Sequence, residues 1–311
     1  MKNLGSSAIS CLFLLLFVPA RAIVAGLKSK LRAIAATFGI RGPRDELKAR
    51  LNAKRAYWFE TADAPSEVKA LAALASNKIL MRRYVKSLGL RLPEIYWDVG
   101  DVDAINFASL PDRVVIKPNN GWDADAVMLI DGERELFSGV AVPRATLPDF
   151  CRKTLASAKF AREPRIIVEE FVQDYDRQFA IPRDFKIFVA GGRAWVVQVI
   201  DRNGPKNQRS SSFYSRDWTK FTDAFHTYFL PGPPIPKPPL LSKLISAAEL
   251  MACDLGAFLR LDFYLTSNGP VFGEITWCPS GGFHFTRFGA RYMCHLMDSF
   301  PDKIRADLSS G

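Results

Sequence analysis

A predicted β-hairpin near the C-terminal end constrains the fold of this chain more than any other stretch. The hairpin joins two β-rich runs, residues 258–265 and 271–277. Its turn contains Asn-Gly, a dipeptide typical of tight hairpins. Side chains two apart share one face of a strand, so Arg260 lies beside Asp262, and Glu274 beside Thr276. Antiparallel pairing then brings Asp262 and Glu274 together.

Two neighbouring carboxylates on a buried sheet repel each other unless a cation or a proton lies between them. Oxygen ligands with a flanking arginine suit a Mg²⁺ ion that holds phosphate oxygens. The alternative is a sheet whose polar face simply meets water, and the hairpin pattern alone does not separate the two.

The positive charge of the chain is concentrated in its first sixty residues. The 311 residues carry a formal net charge of +10. Residues 1–60 contain eleven basic and three acidic side chains, which gives +8 there and leaves +2 for the other 251 residues. A nucleic-acid-binding protein is expected to carry basic residues interleaved with aromatics across a folded face. The charge pattern therefore argues against a nucleic-acid partner.

An apolar run at residues 8–20 leaves three interpretations of the N-terminus open. It resembles the core of a signal peptide, with a small-residue cleavage pattern at Ala20-Arg21-Ala22. It also fits an anchor that dips into a bilayer while the basic segment lies on anionic headgroups. In the third interpretation the true translation start lies further downstream. Five cysteines without CxxC spacing indicate reduced thiols. We expect a cytoplasmic protein, with a peripheral contact between residues 1–60 and the inner, anionic face of the membrane as one option.

Hydrophobic periodicity predicts a mixed α and β chain. Residues 66–88 form one predicted amphipathic helix with Ser66 as its N-cap, and its Lys78, Arg82 and Arg83 are expected on a solvated face. Further predicted helices lie at 150–161 and 240–256, and predicted strands at 114–116, 126–130, 165–172, 184–189 and 194–200. Residues 202–215 are polar without periodicity, which predicts a mobile loop or lid. A proline-rich connector, residues 231–239, is expected to be stiff.

Several polar residues at strand ends are typical of nucleotide binding. Lys117 ends an apolar strand, where a lysine is costly to bury without an anionic partner. The following turn, which includes Asn120 and Gly121, can point backbone N–H groups toward phosphate. Beyond Glu169 and Glu170 the strand edge can present backbone groups to a purine ring. Asp174 and Asp176 follow as candidate acceptors of ribose hydroxyls, and Lys186 lies on the next strand.

The order of these motifs resembles the ATP-grasp superfamily, and more narrowly its TupA-like branch, named for teichuronopeptide biosynthesis. The motifs read Asn77-Lys78 with Arg82-Arg83-Tyr84-Val85, Lys117-Pro118-Asn119-Asn120-Gly121, Glu169-Glu170-Phe171, Asp184-Phe185-Lys186-Ile187-Phe188, Tyr214-Ser215-Arg216-Asp217-Trp218, Arg260-Leu261-Asp262-Phe263-Tyr264 and Phe272-Gly273-Glu274-Ile275-Thr276. The resemblance covers residues 77–289, about two-thirds of the chain. The chain departs from the branch at Asn77 and Ser215, where the family carries Asp, and in its glycine-poor loop at 120–125.

The resemblance implies a role for each matching residue. The nucleotide would be held by Lys117, Asn120, Gly121, Glu169, Glu170, Phe171, Val172, Asp176 and Lys186, with the backbone of 170–172 framing the adenine. Asp262 and Glu274 would hold Mg²⁺, and Thr276 stands where many members carry an Asn ligand. Arg260 and Lys186 would be catalytic, stabilising charge on the transferring phosphoryl group.

The implied architecture is an α+β ATP-grasp fold with two lobes that sandwich ATP. We predict a basic segment at 1–60, an N-terminal lobe at 61–112, a central lobe at 113–172 and a C-terminal lobe at 173–311. The implied function is an ATP- and Mg²⁺-dependent carboxylate–amine ligase in bacterial surface-polysaccharide or cell-envelope assembly, with a small-molecule or glycan acceptor. Two alternatives stay open: a glycan or sugar kinase on the same fold, and a non-catalytic, membrane-associated nucleotide-binding protein.

Overall fold

The computed structural model describes residues 41–119, 125–158 and 165–306. The α-helices within these residues are α1 Pro43–Phe59, α2 Ser66–Ser76, α3 Lys78–Ser87, α4 Leu147–Ala156, α5 Leu241–Leu255 and α6 Arg287–Ser299. The strands are β1 Ile95–Val99, β2 Arg113–Pro118, β3 Met128–Asp131, β4 Arg134–Glu135, β5 Ile166–Glu170, β6 Asp184–Ala190, β7 Arg193–Asp201, β8 Ser210–Ser215, β9 Leu230–Pro231, β10 Leu259–Thr266 and β11 Gly269–Thr276. Within the described ranges, no helix is long and apolar enough to cross a membrane. The apolar run at 8–20 lies outside those ranges.

The strands form two sheets. The five-stranded N-sheet has the order β1-β5-β2-β3-β4, and the six-stranded C-sheet has the order β11-β10-β6-β7-β8-β9. Strands β10 and β11 pair antiparallel, with Asp262 directly opposite Glu274 and a bulge after Asp262. The predicted hairpin and the proximity of Asp262 to Glu274 are therefore confirmed, and the two-sheet, mixed architecture confirms the predicted α+β class.

Alternation along the strands of the C-sheet separates its core from a polar surface. Phe185 and Ile187 on β6, and Leu261 on β10, point into an apolar core formed with α2, α3 and α5. The intervening Lys186 and Asp262 leave the opposite face of the sheet. At one end of that face α1 and α6 pack through a second apolar cluster. Its other end is left facing the N-sheet.

The N-sheet is covered on one face by α4. Val114 and Ile116 on β2, together with Val168 on β5, are fully buried against that helix. The alternate residues Lys117 and Glu169 emerge on the face that looks toward the C-sheet. The polar faces of the two sheets therefore oppose each other. The predicted division into four segments stays a prediction.

The predicted single helix at 66–88 is wrong at its middle. The chain breaks at Asn77, which has extended backbone angles (φ −116°, ψ 110°) and begins α3 as its N-cap. The Asn77 side-chain oxygen accepts hydrogen bonds from the backbone N–H groups of Ile79 (2.9 Å) and Leu80 (3.1 Å). Asparagine competes with helix continuation in this way, because its side chain satisfies the exposed donors of a new helix start. Pro65, and not Ser66, precedes α2 as its cap.

The predicted mobile loop at 202–215 is also wrong over its second half. Ser210–Ser215 forms strand β8, which pairs antiparallel with β7 and is buried at Ser211, Ser212, Phe213 and Tyr214. Ser212 donates a hydrogen bond from Oγ to the carbonyl of Pro233 at 2.8 Å. Small hydroxyl side chains can be buried when their hydrogen bonds are satisfied. The serine-rich composition of residues 210–215 therefore predicted a loop where the chain forms a buried strand.

Candidate active site

A cleft of about 210 Å³ lies between the two sheets. Lys117 and Glu169 line it from the N-sheet, and Lys186, Asp262 and Glu274 line it from the C-sheet. Sequence positions that are far apart thus meet because alternation on both sheets sends their charged side chains to the same side. Clefts between lobes that combine apolar walls with a few converging polar groups are the usual ligand sites of proteins.

Asp262 is the centre of a cluster of buried charges on β10. The Arg260 guanidinium donates to both carboxylate oxygens of Asp262, from Nε at 2.7 Å and from Nη2 at 2.8 Å. Lys186 donates to the same carboxylate, and Arg260 also donates to Thr276 Oγ1 at 2.9 Å. Burial by itself would raise the pKa of Asp262, but the charges of Arg260 and Lys186 outweigh it and hold the pKa below its usual value. Asp262 is therefore a permanent anion at neutral pH.

Glu274 lies opposite Asp262 and differs from it in its bonding partners, in its exposure and in the direction of its pKa shift. Its carboxylate makes no hydrogen bond or ion pair with the rest of the described chain, and its side chain is reachable by solvent although the cleft walls surround it. Desolvation by those walls and the charge of Asp262 raise the pKa of Glu274, and Arg260 and Lys186 offset this only partly.

The carboxylates of Asp262 and Glu274, with the Thr276 hydroxyl nearby, suit Mg²⁺. Within the described residues no group of three or more His, Cys, Asp or Glu side chains forms a metal cage. Mg²⁺ usually binds through one or two carboxylates and completes its shell with substrate phosphates and water. A cation between the two carboxylates would relieve the repulsion that raises the pKa of Glu274.

The opposite wall carries a second pair of charges. Lys117 Nζ donates to Glu169, whose other oxygen lies 3.8 Å from Arg82 Nη1. Glu169 is buried, and Arg82 also donates to the carbonyl of Pro93 at 2.6 Å. Lys117 thus has the anionic partner that was predicted for a lysine at the end of an apolar strand, and it also lines the cleft.

Residues 170–172 form the side of the cleft next to this pair. Strand β5 ends at Glu170, so the backbone of Phe171 and Val172 continues beyond the last paired residue. The Glu170 carboxylate is held away by Arg91 and by the backbone N–H of Glu94. The wall around them is apolar, with Val127, Leu129, Phe137, Ile181 and Pro182. This arrangement offers free backbone groups beside an apolar slot.

Two basic residues of α3 belong to the cleft, although sequence reasoning placed them on a solvated helix face. Lys78 and Arg82 both line it. Burial, and then the charge of Lys117, lower the pKa of Lys78 to about 8, against the opposing effect of Glu274 and Glu169. The new helix start at Asn77 directs α3 toward the cleft. The sequence signal for this break was an asparagine directly before a helix rich in basic residues.

The predicted ribose contacts are not brought together with this cleft. Asp174 is fully buried in a two-pronged ion pair with Arg183, at 2.9 Å from Nε and 2.7 Å from Nη2, so it cannot accept ribose hydroxyls. Asp176 accepts a hydrogen bond from the Gln178 side chain at 2.5 Å and is not among the residues that line the cleft. The predicted phosphate-loop residues Asn120 and Gly121 lie outside the described residues. Arg202 and Asp184, which sequence reasoning gave no role, line the cleft as a paired cation and anion.

A model of the TupA-like ATPgrasp family matches residues 67–300, most of the chain, which confirms the resemblance and the predicted fold class. No curated protein matches the chain.

Similar solved structures include three enzymes. D-Alanine-D-alanine ligase from Helicobacter pylori is 17% identical, with 74% of this chain and 62% of that chain covered and a TM-score of 0.43. L-Amino acid ligase from Bacillus licheniformis is 15% identical, with 68% and 43% covered and a TM-score of 0.43. The ADP complex of N5-carboxyaminoimidazole ribonucleotide synthetase is 14% identical, with 75% and 55% covered and a TM-score of 0.47. The chain thus spans less than two-thirds of each of these proteins, and likeness at this level does not identify an activity.

Proposed function

Because the chain belongs to the TupA-like ATP-grasp family, we propose that it is an ATP- and Mg²⁺-dependent ligase that joins a carboxylate to an amine through an acyl phosphate. Members of the ATP-grasp family are carboxylate–amine ligases. The observation that carries the proposal is the cluster of Lys186, Arg260 and Asp262 opposite the unpaired Glu274, on the floor of a cleft whose other wall presents Lys117.

The charges of the cleft suit a triphosphate. Lys117 and Lys186 lie on opposite walls, and each is oriented by a buried carboxylate, Glu169 and Asp262 respectively. A phosphate oxygen approaching either lysine gains a charge-assisted hydrogen bond without having to order the side chain first. We assign both lysines to ATP phosphates, and the backbone of 170–172 to the adenine ring.

The metal role in the proposal belongs to Asp262 and Glu274. Mg²⁺ held there would neutralise phosphate charge and align the phosphates for attack. Arg260 is fixed by Asp262 and by Thr276, so it keeps the Asp262 carboxylate ionised and in position. It also adds a fixed positive charge beside the reacting groups, where negative charge develops during phosphoryl transfer.

The wider context of the reaction is part of the same proposal. The branch is named for teichuronopeptide biosynthesis, which supports a substrate from bacterial surface polysaccharide or the cell envelope and a small-molecule or glycan acceptor. The basic helix α1, which carries Arg44, Lys48 and Arg55, supports a peripheral contact of the N-terminal region with an anionic membrane surface on the cytoplasmic side.

The test is ATP turnover by the full chain with panels of amino acids and uronic-acid sugars as candidate substrates. Lys117→Ala and Glu274→Ala are expected to abolish release of ADP and phosphate while circular dichroism and thermal unfolding show an intact fold. Lys243→Ala, an exposed lysine on α5, serves as the matched control and is expected to retain activity. Full activity in both cleft variants would refute the proposal.

Product analysis separates the alternatives. A ligase releases ADP and phosphate and forms an amide, and ¹⁸O from the substrate carboxylate appears in the phosphate. Formation of ADP with a phosphorylated sugar would identify a kinase instead. ATP binding without any turnover across the panel would favour the non-catalytic alternative.

A further inference from the structure

Arg209, just before β8, is a partly buried cation that the proposed reaction does not use. Its Nε is buried and has no hydrogen-bond partner. Its guanidinium makes no ion pair with any residue of the described chain, and its carbon Cζ lies 5.1 Å from the centre of the Phe137 ring. Burial and then the charge of Arg202 lower the pKa of Arg209. An unpaired desolvated cation is energetically costly, so its retention requires a reason.

Two acidic side chains of this region, Asp184 and Glu135, make their hydrogen bonds with other residues. Asp184 is bound by Arg202, whose Nε and Nη2 lie 2.7 Å and 2.6 Å from one carboxylate oxygen. Glu135 accepts hydrogen bonds within its own turn, including those from the backbone N–H and Oγ of Ser138 at 2.7 Å and 2.6 Å. Arg202 is therefore paired with Asp184, whereas Arg209 feels the charge of Glu135 only at a distance and makes no ion pair or hydrogen bond with it among the described residues.

Arg209 lies between a ring that lines the cleft and an exposed segment of the chain. On one side it stacks on Phe137, which lines the cleft, and it is close enough to the cleft residue Arg202 to be repelled by it. On the other side its backbone carbonyl accepts a hydrogen bond from Leu230 at 3.1 Å. Leu230 is 53% exposed and its neighbour Tyr228 58% exposed. A ligand bound to Arg209 would therefore lie between the cleft and solvent.

We propose that Arg209, with Arg202 beside it, forms a subsite at the mouth of the cleft for an oxyanion, a phosphate or carboxylate group, carried by the second substrate. The planar guanidinium fork suits two-pronged recognition of either group, which would provide the hydrogen-bond partner that no described residue gives to Nε of Arg209. Arg202 is anchored to Asp184, two residues before Lys186 on β6, so the subsite lies about 7 Å along the strand from the assigned phosphate lysine. The inference rests on the proposed function in that the oxyanion belongs to a substrate entering the same cleft.

The probe is inorganic phosphate, followed by acetate to distinguish a phosphate from a carboxylate preference. Each is titrated calorimetrically into the full chain, with and without saturating Mg²⁺ and a non-hydrolysable ATP analogue. The wild type is expected to bind one of the two anions in both conditions. Arg209→Gln is expected to weaken that binding about tenfold or more, and Arg209→Lys by less, since it keeps the charge but loses the fork. Arg193→Gln is the control, because Arg193 also lies over an aromatic ring, Trp195, but on an exposed surface.

Three results would overturn the subsite. Equal anion binding by wild type and Arg209→Gln would remove Arg209 from any site, and a fall in thermal stability alone would make it a packing residue. Loss of anion binding when the ATP analogue is present, with weaker analogue binding in Arg209→Gln, would make it a nucleotide contact. A wild-type chain that does not bind the analogue would count against the proposed ligase, whereas the nucleotide-free titration would still decide the subsite.

Discussion

Two directly opposed carboxylates on β10 and β11 are expected to respond in opposite ways to the same change. Asp262→Asn and Glu274→Gln each remove one negative charge with little change of shape, at positions that face each other across the ladder. Asp262 is buried and bound by Arg260 and Lys186. Glu274 has no such partner within the described chain. The first variant is therefore expected to unfold more easily, and the second is not.

The magnitude follows from burial. The side chains of Asp262, Arg260 and Lys186 are only 9%, 14% and 12% exposed, so the cations cannot turn to water when the carboxylate is lost. Removing one partner of a buried ion pair typically destabilises a protein by about 3–5 kcal/mol. For a chain of this size that corresponds to a fall in melting temperature of roughly 5–8 °C. Glu274→Gln is expected to change stability by less than about 0.5 kcal/mol or to increase it.

The contributions of Asp262 and Glu274 to stability also change in opposite directions with pH. The pKa of Asp262 is lowered in the fold, so its stabilisation is present above the unfolded value of about 3.9 and is lost as pH falls through the folded pKa. The pKa of Glu274 is raised, so its contribution is present below about 4.3 and is lost as pH rises through the folded pKa. Urea unfolding of both variants and wild type between pH 3 and 7 measures this. If Glu274→Gln proved as destabilising as Asp262→Asn at pH 7, our reading of Glu274 as unpaired would be wrong.

Three further predictions concern other charged side chains. Burial and the charge of Lys117 lower the pKa of Lys78 to about 8, so the affinity for ATP, measured by calorimetry, is expected to fall as pH rises from 7 to 9. Lys78→Arg is expected to flatten that pH dependence, and a wild-type affinity that does not change with pH would contradict the prediction. Asp174→Asn breaks the buried pair with Arg183 and is expected to lower unfolding stability by about 3–5 kcal/mol, whereas a stable variant with weakened ATP binding would restore the ribose role. Buried Lys54 donates to a backbone carbonyl at 2.6 Å, and its ammonium lies 3.1 Å from a carboxylate of the segment that follows α6. Lys54→Met is therefore expected to lower the free energy of unfolding in urea by about 1–3 kcal/mol, and an unchanged free energy would contradict the role of Lys54 as a link between α1 and that segment.

The hairpin and its charged face could be predicted because their signals are local. Strand alternation has a period of two, so Arg260 and Asp262 fall on one face of β10, and Glu274 and Thr276 fall on one face of β11. The exact pairing of Asp262 with Glu274 also depends on the bulge between Asp262 and Phe263, because regular counting from the turn would place Asp262 opposite Gly273. The same reasoning placed Lys117 at the end of β2 and Lys186 on β6. Both sheets therefore carried their cleft-facing charges in patterns that the sequence alone displays.

The parts that were missed depend on tertiary contacts. Lys78 looks like any basic residue on a helix face, and only the docking of α3 against two sheets turns it into the cleft. Asp174 looked available for a ligand because nothing in the sequence announces its pairing with Arg183, nine residues later. Strand β8 is polar in composition, and its burial depends on partners in β7 and the proline-rich segment. Long-range partners of this kind are not encoded in a local pattern.

Calorimetric titration of ATP, with and without Mg²⁺, tests the central claim most directly. The wild type is expected to bind ATP more tightly with Mg²⁺, and the Asp262→Asn, Glu274→Gln double variant is expected to lose that Mg²⁺-dependent gain. Glu274→Gln alone, which should keep its stability, is expected to lose it as well, which separates the metal role from the fold. ATP binding that is indifferent to Mg²⁺, or equal in the wild type and in Glu274→Gln, would contradict the assignment of this carboxylate pair as the metal site.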